Sequence, residues 1–167
     1  MKKLVLLILF FVGLGRGCAN YNHLWIHSPN EKLPHIESFS VIPAGQWRDC
    51  ARKNGINIRN GECRNPVTVL GHYPEYVELA EQLDAESMQI PMDQWNAMTE
   101  DEQWNTTTTF FDYMMKNDHN FRLATPVEKA RPGSYYIREL NYLFGKGYRL
   151  SPDGLWLVKY DPVLKKR

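Results

Sequence analysis

The stretch SYYIRELNYLFG, residues 134–145, decides the fold class. Ser134 is a favoured helix N-cap, and Tyr136, Ile137, Leu140, Leu143 and Phe144 recur at the spacing of one helical face. Gly145 supplies the stop. Immediately downstream, Tyr148-Arg149-Leu150 and the segment from Leu155 to Tyr160 flank Ser151-Pro152-Asp153-Gly154. That tetrapeptide carries the residues of a tight turn, so a β-hairpin is expected at the C-terminal end. A helix leading into a hairpin places the chain in the α+β class.

Working back from this pair, two more helices are predicted. Thr99-Glu100-Asp101-Glu102 is a capping box, and Phe110, Phe111, Met114 and Met115 can share a face, which gives a helix over about 100–116. Its weakest point is Thr106 to Thr109, four β-branched residues in a row. Pro74-Glu75 opens another, with Tyr76, Leu79, Ala80 and Leu83 forming the stripe. Earlier still, Ser38 to Ile42, Ile56 to Arg59 and Pro66 to Leu70 read as short strands, and Ala44 to Lys53 as one or two helical turns. The expectation is therefore a single α+β domain over 20–167, with a β-leaning front half, about three helices and a terminal hairpin.

Cysteine placement suggests what holds the front half together. Cys50 and Cys63 enclose ARKNGINIRNGE, in which Asn54-Gly55 and Asn60-Gly61 are both turn dipeptides. A Cys50–Cys63 disulfide is expected to clip this loop, contributing roughly 3 kcal/mol in the chain-entropy model. Metal is not expected at these cysteines, because no second pair or nearby His cluster completes a zinc site.

That disulfide presumes an oxidising compartment, which the first residues support. Lys2 and Lys3 precede an apolar run from Leu4 to Val12, and Arg16 closes it. The run is too short for a stable membrane span of about 20 residues and has the layout of a secretory signal over 1–19. Gly17-Cys18-Ala19 suits cleavage after Ala19. Gly17-Cys18 followed by Ala19-Asn20 also resembles the end of a bacterial lipoprotein signal, which implies an acylated Cys18 and a lipid anchor in the membrane. Arg16 departs from the lipoprotein pattern, and both endings stay open. Export, to the periplasm or beyond or to a membrane-anchored position, is the expectation in either case.

Composition narrows the partner. Removing 1–19 takes three of the 20 basic residues and none of the 19 acidic ones, leaving −2. Such a balance gives no electrostatic basis for nucleic acid as a partner. Five Trp, nine Tyr and seven Phe are many for this length, and they serve cores and contact surfaces alike. Trp25, Trp47, Trp95, Trp104 and Trp156 are the residues best able to anchor a partner wherever they are exposed.

Catalytic signatures are sparse. There is no G-x-S-x-G turn and no phosphate-cradling glycine loop, so no cofactor is expected. His23 and His27 have a metal-ligand spacing that Pro29 makes hard to place on a helix. Asn105-Thr106-Thr107 fits the glycosylation pattern by chance in a chain with a bacterial-looking signal. Glu86-Ser87-Met88-Gln89-Ile90-Pro91 resembles, over about 15 residues when Tyr136 to Gly145 are included, pieces of the lytic transglycosylases that cleave peptidoglycan. That resemblance implies Glu86 as a general acid, which physically requires burial to raise its pKa. The family's glycine ahead of Gln-Ile and its Ala-Tyr-Asn-Ala-Gly segment are missing here. The primary expectation is thus an exported cell-envelope protein that binds an envelope protein or a cell-wall glycan. A small peptidoglycan-cleaving enzyme using Glu86 is the alternative.

Overall fold

The computed structural model describes residues 41–161, all within one compact unit. The signal-like head, Cys18, His23, Trp25, His27 and residues 162–167 lie outside the described residues. The elements run α1 (Ala44–Lys53), β1 (Val67–Leu70), α2 (Glu75–Leu83), α3 (Met92–Ala97) and α4 (Glu100–Lys116), then β2 (Asn120–Leu123), a 3₁₀ turn (Val127–Lys129), α5 (Tyr135–Gly145), β3 (Tyr148–Leu150) and β4 (Trp156–Lys159). Five α-helices and a four-stranded sheet make this a mixed α/β domain; α1 fills the segment read as one or two helical turns, and α3 is the helix that the sequence pattern does not predict.

Local signals account for the long helices. Thr99 and Glu102 form the reciprocal capping box of α4: the Glu102 N–H donates to Thr99 Oγ1 at 3.3 Å, and the Thr99 N–H donates to Glu102 Oε2 at 2.8 Å. The threonine run does not break α4. Thr106, Thr107 and Thr108 donate their hydroxyls to the carbonyls of Glu102, Gln103 and Trp104 at 2.8, 2.9 and 3.0 Å, so each side chain is satisfied within the helix. In α5 the stripe predicted from spacing is the buried face, with Tyr136, Ile137, Leu140 and Leu143 all enclosed. Ser134 does sit at the N-cap in extended backbone, but its hydroxyl makes no capping bond.

The sheet has the order β1-β2-β4-β3. β1 and β2 are parallel, a pairing that needs a crossover, and α2, α3 and α4 provide it. β4 pairs antiparallel with both β2 and β3, and the β3–β4 hairpin lies where the Pro-Asp-Gly turn places it. Side chains alternate across the sheet. Leu70, Phe121, Leu123, Tyr148, Leu150 and Leu157 face α4 and α5, packing against Phe111, Met114, Leu140 and Leu143. Val67, Trp156 and Val158 face the other way, onto α1 residues Trp47, Cys50 and Ala51 and the loop residue Ile56. This period of two is what a sheet covered on both faces requires.

The expected disulfide is not present: Cys50 and Cys63 are both free thiols. Loop length permitted the bridge, but bond formation depends on where the Cβ vectors point, and spacing does not encode that. Each sulfur contacts a buried amide instead. Asn54 Nδ2 donates to the Cys50 carbonyl at 2.9 Å and the Lys159 carbonyl at 3.1 Å, and contacts Cys50 Sγ at 3.6 Å. Asn120 Nδ2 donates to the Asn54 carbonyl at 2.7 Å and to Cys63 Sγ at 3.1 Å. The clip is therefore polar rather than covalent, completed by the antiparallel bridge between Ile56 and Cys63.

Candidate functional site

The clip positions the loop from Ile56 to Gly61 beside one edge of the α1-covered face, and a recess of about 250 Å³ opens there. Its walls are Trp47 of α1, Trp156 of β4 and Arg122 of β2, with Asn57, Ile58 and Leu155 around them. Strand register brings Arg122 and Trp156 together, because they are cross-strand partners in the β2–β4 pair. The guanidinium carbon lies 5.2 Å from the centre of the Trp156 ring, and Nη1 donates to the Leu155 carbonyl at 2.8 Å. The group is thus held from two sides before any ligand arrives.

Charge in the recess is not balanced by contact. No carboxylate lies within ion-pair distance of Arg122 among the described residues. Burial lowers the pKa of Arg122 from its ordinary value, with the charge of Asp153 working in the opposite direction. Asp153 also lines the recess, but its Oδ1 is spent on the turn, accepting from the Ser151 hydroxyl and from the Leu155 N–H at 3.0 Å. Ser151 Oγ in turn accepts from the Trp156 N–H at 2.9 Å. This chain of bonds fixes the turn and with it two walls of the recess. At the rim, Ile58 is 49% exposed and Leu155 39% exposed, so the mouth presents apolar surface to solvent.

A second recess of about 240 Å³ lies on the other side of the same turn, sharing Asp153 and Leu155. Its lining includes Val41, Leu123, Pro126 and Leu150, and its charged groups are Glu128 and Asp153. It has no aromatic wall and no cation, which leaves the Trp47–Arg122–Trp156 recess as the better-equipped of the two.

The residues singled out from sequence scatter. Glu86 is exposed, and its backbone pairs with β1: the Glu86 N–H donates to the Val67 carbonyl at 2.9 Å and its carbonyl accepts from Val69 at 2.8 Å. It lines neither recess. Cys50 is 1% exposed, and burial raises its pKa against the opposing effects of Asn54 and Lys53, which keeps the thiol protonated and unreactive. Trp95 and Trp104 are half-buried against Tyr135, with ring centroids at 5.3 and 6.2 Å, so α3 and α4 use them for packing. Asn105 is exposed on α4. Of the tryptophans named as anchors, Trp47 and Trp156 both line the recess, Trp47 half-buried and Trp156 only 5% exposed.

Among the described residues, the enclosed carboxylate is one that the sequence pattern did not single out. Glu139, in the middle of α5, is 8% exposed, and burial pushes its pKa up to about 7. It makes no ion pair among the described residues, and its neighbours in the electrostatic sense are Tyr76, Tyr135 and Tyr136. Glu139 lines neither recess. A charged residue flanked by Ile137 and Leu140 on a buried stripe was the signal available in the sequence. Thr68 and His119 form a further buried polar pair, with Oγ1 and Nδ1 2.9 Å apart. Burial lowers the His119 pKa against the opposing charge of Glu86.

Among the described residues no three His, Cys, Asp or Glu side chains group as metal ligands, and no helix is long and apolar enough to cross a membrane. Comparison with protein families, with curated proteins and with solved structures gives no match.

Proposed function

We propose that this chain is an exported cell-envelope protein that works by binding, and that the recess between Trp47 and Trp156 receives a unit of an envelope glycan. The observation that carries this reading is the recess itself. Two tryptophans, a guanidinium with unused donors and an apolar rim converge on a volume below the roughly 300 Å³ at which pockets begin to enclose larger ligands. A space of that size suits one sugar ring or one side chain. The Trp47 indole packs against the C–H face of a sugar while Arg122 and Asn57 address its hydroxyls, a division of labour between apolar area and a few polar groups. Export is supported by the signal-like head described above.

The hydrolytic alternative built on Glu86 has less to support it. A general acid active near neutral pH needs a raised pKa and a place against the substrate, and Glu86 is solvent-exposed and away from both recesses. Binding is tested by sedimenting the purified protein with isolated peptidoglycan. Retention that is lost in Trp47→Ala, with no soluble muropeptides released, is the expected result. Release of muropeptides that disappears in Glu86→Gln would replace the binding reading with the hydrolytic one.

A further inference from the structure

We infer that the recess selects a sugar unit carrying a carboxylate, with Arg122 as the specificity-determining residue; this rests on the glycan-binding reading above. The inference starts from how Arg122 is spent. A guanidinium offers five N–H donors, and Arg122 commits one side to the Leu155 carbonyl at 2.8 Å. Its face is occupied by Trp156, at 5.2 Å from the ring centre. Both restraints act on orientation without neutralising charge.

The remaining edge of the fork faces no carboxylate within ion-pair distance among the described residues. Asp153, the acid that shares the recess, is drawn into its own turn through the Ser151 hydroxyl and the Leu155 N–H. A half-buried cation in this condition has lost part of its hydration and has regained one carbonyl bond and no contacting carboxylate. A ligand carboxylate supplies the missing partner, and the planar fork matches it with two parallel bonds. A neutral sugar uses the same tryptophan walls but leaves that deficit in place. Preference for the acidic sugar is then a difference in affinity set by one residue, not a general gain for every ligand.

Carboxylates also terminate peptides, and the apolar rim at Ile58 and Leu155 could border a peptide. The observations favour the sugar. The recess holds about 250 Å³, the scale of a single ring, and Asn57 lines it together with the tryptophans. A peptide terminus would extend beyond this volume.

The test uses a matched pair that differs at one carbon: methyl β-glucuronide and methyl β-glucoside. Binding to the full chain is read from the indole N–H signals of the tryptophans during NMR titration. The glucuronide is expected to bind at least about tenfold more tightly than the glucoside, the scale of one charge-assisted bidentate contact. Arg122→Gln should remove that preference, bringing the affinity for the glucuronide down to that for the glucoside, and Trp47→Ala should weaken both ligands by a similar factor. Because the glucoside is read on the same variant, a misfolded Arg122→Gln protein would be recognised by loss of both titrations, and Arg122→Lys, which keeps charge but not the fork, then decides by retaining only part of the preference. Equal affinity for the two sugars would overturn the carboxylate inference while leaving glycan binding intact. Binding of an acetylated dipeptide with a free C-terminus, with no response to either sugar, would overturn it in favour of a peptide ligand. No response to any of the three would remove the recess as a binding site altogether.

Discussion

The two faces of the sheet are built on different terms. On the helical face, Leu70, Phe121, Leu123 and Leu157 meet α4 and α5 in a continuous apolar layer, with Phe121 edge-on to both Phe111 and Tyr148 at centroid distances of 5.8 and 5.1 Å. On the α1 face, apolar packing is interrupted by Asn54, Asn120, Arg122 and two free thiols. Each face also holds a charged residue that makes no ion pair among the described residues, such as Glu139 within α5 and Arg122 on β2. Glu139 is sealed in, and Arg122 looks into a recess. The difference teaches where this chain invests in stability and where it keeps polar groups available for contact.

The sharpest way to break that comparison is at Phe121, which has no exposed surface. Phe121→Ala should cost about 3–5 kcal/mol, since it removes a ring from the middle of the layer and leaves a cavity. Denaturant titration followed by near-ultraviolet circular dichroism reads this directly. A loss below about 1 kcal/mol would mean that the helical face is not the principal core.

Next in size is an increase in stability. With a folded pKa of about 7 against an ordinary 4.5, Glu139 holds its proton more tightly in the folded state than in the unfolded one. Below about pH 4.5 both states are protonated, and the favourable contribution of the neutral carboxyl is fully present. As pH rises from there towards 7 the unfolded chain releases the proton first, so stability falls by about 3 kcal/mol and then levels off. Glu139→Gln should abolish this fall and exceed the parent in stability at pH 8, with little difference at pH 4.5. Parallel stability curves for the two proteins between pH 4.5 and 8 would show that Glu139 does not bury its charge.

These two residues also mark what the sequence made legible. The stripe Tyr136, Ile137, Leu140 and Leu143, the Thr99–Glu102 box and the Pro-Asp-Gly turn are local, and each is found where its spacing places it. β2 was not legible. Asn120-Phe121-Arg122-Leu123 is four residues long, and its register with β1 joins positions more than 50 residues apart, as in Val67 with Asn120. The recess depended on that strand, because only the β2–β4 register reveals that Arg122 faces Trp156. The disulfide was misread for a related reason: a loop of suitable length specifies that two sulfurs can approach, not what each of them contacts.

The amides that contact the two sulfurs supply the third prediction. Asn54 donates to two carbonyls and accepts from Asn120 through its own backbone, tying α1, the end of β4 and β2 together. Asn54→Ala leaves the carbonyls of Cys50 and Lys159 without that donor and should cost about 1–3 kcal/mol. Dithiothreitol should not change the stability of the parent protein, because the clip contains no disulfide. A marked reducing-agent dependence in the parent would overturn the polar clip.

The smallest effect on stability belongs to Arg122, and its smallness is the point. The contact with Trp156 is partly solvated, and cation–π pairs of that kind contribute about 0.5–1 kcal/mol. Arg122→Gln should therefore lower stability by no more than about 1 kcal/mol in denaturant titration, far less than Phe121→Ala. If Arg122 served chiefly as a structural pin, its removal would loosen the Ser151–Leu155 turn and reduce stability on the scale of Asn54→Ala. A residue whose loss scarcely alters folding, yet which sits half-buried and with no carboxylate in ion-pair contact beside Trp47 and Trp156, has been placed for something that arrives from outside the chain.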